Sequence, residues 1–331
     1  MSNKSYTGLV VREVAEKQFE SKLETLKIND LPEGEVLIRV QYSSLNYKDM
    51  LSASGNRGVT KKFPHTPGID AAGVVEHCAT ADFKSGDEVI VTGFDLGMNV
   101  SGGLGEYIRV PAAWVVKKPE GLSLRESMVF GTAGFTAALS ILRLKDLGLE
   151  DAADILVTGS SGGVGSIAVS ILSHCGYAVT ALNGRKDERE FLQSIGARDV
   201  IEIDALVDES SRPLLKERWD ACVDSLGGNI LTSAIRSVRA NGAVTSCGNA
   251  LSPDLALTVY PFILRGVTLF GIDSQNCPML LRVRAWQLLA KEWKFPWLET
   301  LAREVQLKDV PTEMARIKNG ENRGRIIVNL Q

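Results

Sequence analysis

Four glycines within seven residues, following directly on a short apolar run, constrain this chain more than any other feature. The segment Ile155-Leu-Val-Thr-Gly-Ser-Ser-Gly-Gly-Val-Gly165 places them at 159, 162, 163 and 165. The apolar run suits a strand covered on both faces. The stretch 165–175 carries Ile167, Ile171 and Leu172 at helical spacing. Strand, glycine loop and helix in that order are specific, where a glycine trio alone is weak. Gly159 permits a tight turn, Gly162 and Gly163 let backbone approach a pyrophosphate, and Gly165 lets the helix pack close to the strand. The helix N-terminus then offers free N–H groups and positive dipole to phosphate. A connection with no ligand would only be weakened by so many glycines. Gly159, Ser160, Ser161, Gly162, Gly163, Val164 and Gly165 are therefore expected to bind a dinucleotide.

The next strand identifies which dinucleotide. A site for NAD carries Asp or Glu about 20 residues on, bonded to the ribose 2′-hydroxyl. Here the strand ends Ala181-Leu-Asn-Gly-Arg185, with no acid at its tip. Asn183, Gly184 and Arg185 suit a 2′-phosphate, which Arg can hold with two parallel N–H bonds. The alternative for Arg185 is an ordinary surface charge. The expected cofactor is NADP(H).

Around this loop the chain alternates. Strands are predicted at 155–158, 177–182, 200–203, 221–224, 243–247 and 267–272, with helices over 165–175, 186–195, 211–218 and 229–240. Six strands with intervening helices describe a doubly wound parallel sheet. Ligands bind at the carboxyl ends of such strands, which brings in Ser225 and Leu226 after Asp224. The first ~125 residues instead read as β-rich, with strand-like runs at 35–46, 73–76 and 87–92. Ser123-Leu-Arg-Glu126 is a capping box opening helices that run to about Leu147. A helix over 279–293 and a strand, Arg325-Ile-Ile-Val328, follow the alternating part. At 331 residues two domains are expected.

Bulk properties exclude several classes. Lys and Arg number 37 against 40 acidic residues, a net charge of −3, so no general attraction for nucleic acid or anionic membrane arises. The five cysteines form no CxxC pair and suit free thiols in a reducing cytoplasm. The start, MSNKSYTGLVVREV, carries charge before any apolar run, so no signal peptide is read, and no window is read as long enough for a membrane span.

Taken together, the segments SSLNYKD (43–49), FPHTPGIDAAGVV (63–75), GTAGFTAALS (131–140), VTGSSGGVGS (157–166), NGR (183–185), VDSLGG (223–228), PFILRGVTLFGIDS (261–274) and GRIIV (324–328) resemble the medium-chain dehydrogenase/reductase superfamily. Within it they resemble the zinc-free YhdH/YhfP-type quinone oxidoreductases, which include acrylyl-CoA reductase. The resemblance covers nearly the whole chain. It implies an α/β fold: a GroES-like β-rich catalytic domain (1–125 and 276–331) with an inserted Rossmann doubly wound parallel sheet (126–275), and an active site in the cleft between them. It implies homodimers formed through the Rossmann sheets, with Gly271 near that edge.

The resemblance also implies site residues. Asn46, Tyr47 and Asp49 would line the cleft near the nicotinamide, Tyr47 either touching cofactor and acting as acid or packed with its hydroxyl bonded locally. Thr132 and Thr136 would approach the cofactor or serve packing. Cys247, Gly248 and Asn249 would face the nicotinamide ribose, with Cys247 a small buried residue rather than a nucleophile. Ile272, Asp273 and Ser274 would close the nicotinamide pocket, and Arg325 would reach a phosphate or lie at the surface. Zinc-dependent relatives place Cys early and Gly-His-Glu later; here Asn46 and Pro67-Gly68-Ile69-Asp70 stand instead, Asp70 being structural, and His65 is read as a loop residue. No metal is expected. Without that Lewis acid an alcohol substrate is a poor fit, and hydride addition to a conjugated C=C bond is a better one, with acryloyl-CoA first. A quinone is the nearest rival substrate, and a non-catalytic NADPH-sensing protein is the rival of another class. For an acyl-CoA, Arg57, Lys61 and Lys62 are candidate phosphate partners.

Overall fold

A computed structural model describes residues 4–331, with Lys186 described by its backbone alone. The chain forms two compact units. One comprises residues up to Thr132, Gln275–Ala290 and Leu298–Gln331; the other comprises Ala133–Ser274 and Lys291–Trp297.

The second unit is built on six strands: β1 (Asp154–Val157), β2 (Ala178–Asn183), β3 (Asp199–Glu202), β4 (Trp219–Asp224), β5 (Val238–Ser246) and β6 (Thr268–Gly271). All pair in parallel, in the spatial order β3-β2-β1-β4-β5-β6. This is the doubly wound order whose direction reverses between β1 and β4. Ile155, Leu156, Val157, Val179, Ala221 and Val244 are buried to within 0% exposure, as both-sided cover requires. Helix α1 (Gly163–His174) follows β1 and buries every residue from Gly165 to Leu172.

The first unit holds a seven-stranded sheet that uses both ends of the chain. Strands 302–306 and 325–329 join the order next to 36–44, which continues through 70–78, 88–92 and 116–117, while 107–110 pairs with 36–44 off that path. A separate hairpin pairs Ser5–Ala15 with Gln18–Lys27. Sequence reading missed it because its second strand is largely exposed and lacks apolar alternation. The β-rich and doubly wound parts are both as expected.

Three expectations need correction. No helix forms over 211–218. The buried Arg236 guanidinium donates to the carbonyls of Asp208 and Ser210, and Arg265 donates to that of Leu215. The N–H groups of Leu215 and Arg218 bond to the carbonyls of Arg236 and Ser237. Tertiary partners thus consume the groups a helix would pair internally. The helix expected over 229–240 ends at Ser237, where β5 begins. The third concerns Leu124–Asp146, which is long and apolar enough to cross a membrane by length and composition, although 89% of that window is buried inside the protein. Its opening capping box forms as read: Ser123 N–H donates to Glu126 Oε2 at 2.8 Å, and Glu126 N–H to Ser123 Oγ at 3.0 Å. Gly131 breaks this helical segment with φ 52° and ψ −157°.

Replacing Arg236 by Ala is expected to loosen residues 208–216 and leave the parallel sheet intact. Amide hydrogen exchange in that segment should speed up roughly tenfold, as loss of a charged hydrogen-bond donor implies. Equal acceleration in β1 and β4 would contradict the assignment.

Candidate active site

In the parallel-sheet unit the site begins where β1 leaves the sheet. Gly159 takes φ 58°, and its carbonyl accepts the N–H of Gly162 at 3.0 Å, closing the turn. The buried Ser160 hydroxyl donates to the carbonyls of Val157 and Leu182, at 2.7 and 3.0 Å. It braces the loop against the end of β2 and is not turned to a ligand. A Cβ on Gly165 would lie 2.2 Å from the Gly159 carbonyl oxygen, so only glycine lets the helix start this close to the turn. Gly162 stands at the N-cap with no side-chain bond to the helix, and the first intrahelical bond runs from Ser166 N–H to its carbonyl at 2.9 Å. The N–H groups of Gly163, Val164 and Gly165 precede that bond, as an anion-binding helix start needs. The loop fits a pyrophosphate.

At the tip of β2, Asn183 holds Arg185 by its backbone. Asn183 Oδ1 accepts the Arg185 N–H at 3.0 Å, and its amide donates to the Arg185 carbonyl. Asn183 thus shapes the turn rather than facing a phosphate. The Arg185 side chain returns over the glycine loop, where Nη2 donates to Ser161 Oγ at 2.8 Å. Gly184 is exposed between them. Ser161 and Arg185 together form a donor pair suited to a ribose phosphate.

The reversal point between β1 and β4 is fixed by two residues that sequence reading passed over. The Thr158 hydroxyl donates to Asp224 Oδ1 at 2.6 Å and accepts the Ser225 N–H at 3.1 Å. The other Asp224 oxygen accepts the Gly227 N–H at 2.9 Å. Asp224 is fully buried, and burial raises its pKa. A Thr and an Asp at the ends of two apolar runs were the available signal. A Cβ on Gly159 would meet Ser225 Oγ at 2.4 Å, and one on Gly248 would meet the Ser225 carbonyl at 2.6 Å. Gly159, Ser225 and Gly248 therefore converge, and Leu226 packs beside them. Cys247 donates its Sγ–H to the Asp224 carbonyl at 3.1 Å, and burial pushes its thiol up to about 12. Asn249 is exposed beyond it. The Ile272 N–H bonds to the Ser246 carbonyl, and Thr136 donates to Ser274 Oγ at 2.8 Å.

In the other unit, Asn46 is the N-cap of helix Tyr47–Ala53 and forms a capping box with Asp49. Tyr47 is 53% exposed, so its side chain is not packed into the interior. Asp49 is fully buried. It accepts N–H bonds from Asn46, Gly68 and Ile69 at 2.8 to 3.1 Å. Burial, with the Asp70 charge second, pushes its carboxyl up to about 7. Its oxygens are committed to backbone, so it positions the Tyr47 helix and does not meet substrate. Lys48 bonds to Gln275 Oε1 rather than to Asp49. His65 is not an open loop residue: it is buried and bridges Val11 in antiparallel fashion.

Asp70 is the hub of this unit. Its Oδ2 accepts from Ser44 Oγ (2.6 Å), Asn46 Nδ2 (2.7 Å) and the Thr132 N–H (2.9 Å), and its Oδ1 accepts from the Thr132 hydroxyl (2.5 Å). Arg325 stands 3.8 Å from Oδ2 and donates to the Val129 and Leu45 carbonyls, to Asn46 Oδ1 and to Ser44 Oγ. Arg325 is 3% exposed, so the expectation that it reaches a cofactor phosphate is corrected: its guanidinium is spent inside. Asn46 and Asp70, which stand in the two segments set above against the metal-binding motifs of zinc-dependent relatives, bond to each other. Among the described residues no group of three His, Cys, Asp or Glu could hold a metal ion. The donor set does not fit zinc.

Residues 32–120 match the alcohol dehydrogenase GroES-like domain, and residues 163–291 match the zinc-binding dehydrogenase domain. The chain is 40% identical to the acrylyl-CoA reductase AcuI of Ruegeria pomeroyi, over 98% of its length and 99% of that protein's. It is 43% identical to the putative quinone oxidoreductase YhfP of Bacillus subtilis over 93% and 94% of the two chains. The crystal structure of Bacillus subtilis YhfP with NAD bound matches at TM-score 0.95 and 41% identity, covering 99% and 100% of the two chains. That of the yhdH oxidoreductase of Salmonella enterica with NADP matches at TM-score 0.95 and 38% identity, covering 98% and 100%. The chain belongs to the medium-chain dehydrogenase/reductases, in the branch that holds the acrylyl-CoA reductases and YhdH/YhfP-type quinone oxidoreductases.

Arg325→Ala leaves a buried carboxylate without its counter-charge and is expected to cost about 3–5 kcal/mol in urea unfolding. Adding Asp70→Asn should recover part of the loss, because the two residues are coupled. Cys247 should resist iodoacetamide at pH 8 in the folded protein, because its raised pKa keeps it a thiol. Stoichiometric labelling of Cys247, read by peptide mass, would contradict that raised pKa.

Proposed function

We propose that this protein is an NADPH-dependent reductase that adds hydride to a C=C bond conjugated with a carbonyl, converting acryloyl-CoA to propanoyl-CoA. The observation that carries the reading is the closed Asn46–Asp70–Arg325 network at the positions of a metal site. A hydroxyl to be oxidised needs its pKa lowered by a Lewis acid; an activated alkene does not. The 40% identity to an acrylyl-CoA reductase over nearly the whole chain supports the substrate.

NADPH, when bound, supplies the hydride for the β-carbon. The chain's part is to bind, orient and protonate. Gly163, Val164 and Gly165 offer N–H groups to the pyrophosphate, and Ser161 with Arg185 takes the 2′-phosphate. Ser225, Leu226, Cys247, Gly248, Asn249, Thr136, Ile272 and Ser274 shape the nicotinamide side. Tyr47, exposed at the first turn of its helix, delivers a proton to the α-carbon, and Asn46 with Asp49 holds that turn in place. Arg57 is paired with Glu13 and lies 5.0 Å over the Phe63 ring, so the exposed Lys61 and Lys62 are the partners for coenzyme A phosphates.

The second reading, an NADPH:quinone oxidoreductase, is favoured by the 43% identity to YhfP. A non-catalytic NADPH-sensing role has no observation in its favour. The reading includes a cytoplasmic homodimer. Its interface is the open edge of β6 with the helix Tyr260–Arg265 before it, where Val259, Ile263 and Leu264 are 62%, 66% and 63% exposed, an apolar patch suited to a second copy.

With NADPH, acryloyl-CoA should be turned over faster than a benzoquinone at equal concentration, and the opposite order would select the second reading. Tyr47→Phe should lower kcat by about 10²-fold, the scale of losing a general acid, with no change in melting temperature. An unchanged kcat would assign the proton to water.

A further inference from the structure

We infer that Glu188 is a specificity-determining residue that weakens this protein's preference for NADPH over NADH. The inference rests on the reading of Arg185 as the 2′-phosphate partner. The tip of β2 carries no acid, yet the turn that follows returns one to the same place. Lys186–Glu188 forms a single 3₁₀ turn, and Glu188 Oε1 lies 3.4 Å from Arg185 Nη2. That nitrogen also donates to Ser161 Oγ at 2.8 Å. The Glu188 side chain is only 9% exposed, so its charge is poorly screened by salt. Asn183 clamps the N–H and the carbonyl of Arg185, and the guanidinium starts from a fixed point.

Two consequences follow for a ribose at this tip. A 2′-phosphate binding to Ser161 and Arg185 meets a carboxylate at the same guanidinium nitrogen. Glu188 neutralises the arginine and repels the phosphate. For an unphosphorylated ribose the same carboxylate is an acceptor of the kind that binds the 2′-hydroxyl in NAD sites. Arg185 and Glu188 together make a site for either ribose, with the balance set by the acid.

The test is the dissociation constants of NADPH and NADH, measured by isothermal titration calorimetry on the full chain and on Glu188→Gln, Glu188→Ala and Arg185→Ala. Both Glu188 variants should raise the NADPH-to-NADH affinity ratio about tenfold, chiefly by tighter NADPH binding, and Arg185→Ala should lower it. If Arg185→Ala lowers the ratio while both Glu188 variants leave it unchanged or lower it, the role of Glu188 is refuted and the phosphate reading stands. If Arg185→Ala leaves the ratio unchanged, the phosphate reading fails and the inference fails with it.

Discussion

One buried carboxylate organises the catalytic unit. Asp70 receives hydrogen bonds from strand 36–44, from the cap of the Tyr47 helix and from Thr132, and it faces the guanidinium of the C-terminal strand. Such a charge is costly to bury without full pairing. Every segment that brings a partner is therefore fixed in direction as well as place. The exposed Tyr47 inherits its position from this centre, since Asn46 caps its helix and bonds to Asp70 with the same side chain. Gly131 belongs to the same arrangement: a Cβ there would stand 2.4 Å from Ser44 Oγ and 2.6 Å from Asp70 Oδ2.

Much of this was legible in the sequence where local chemistry decides local structure. The glycine loop, the six strands and the capping box at Ser123 each rest on nearby residues and appear as read. What sequence reading lost depends on partners distant along the chain. The segment 211–218 has helical composition, but Arg236 and Arg265 claim the carbonyls of Arg212 and Leu215. Arg325 was placed at a phosphate, though its partners are about 200 to 280 positions away, at Val129, Leu45 and Ser44. The acid near the cofactor tip was sought at the end of β2, and a 3₁₀ turn brings Glu188 there instead. Thr158 and Asp224 went unnoticed because each looks ordinary until β1 and β4 are placed side by side.

The two units treat polar groups differently. The parallel-sheet unit gathers donors at the tip of its loop: the N–H groups at the start of α1, with Ser161 and Arg185 beside them. The other unit closes its strongest polar groups on one another and presents a single phenol. A catalytic metal needs three protein ligands and an open coordination position, whereas Asn46 and Asp70 are spent on each other and on Arg325.

The pairing of Asp70 with Arg325 also bears on the order in which the chain matures. Asp70 leaves the ribosome before its counter-charge Arg325, and the whole inserted unit is made between them. Until then the first unit must hold an unneutralised acid in its interior, or stay open there. Ala133–Ser274, by contrast, contains its whole six-stranded sheet in one continuous stretch. Domains usually complete themselves from the N-terminus during synthesis. Here the order is inverted: the inserted unit can finish first, and the unit that contains Asp70 waits for Arg325.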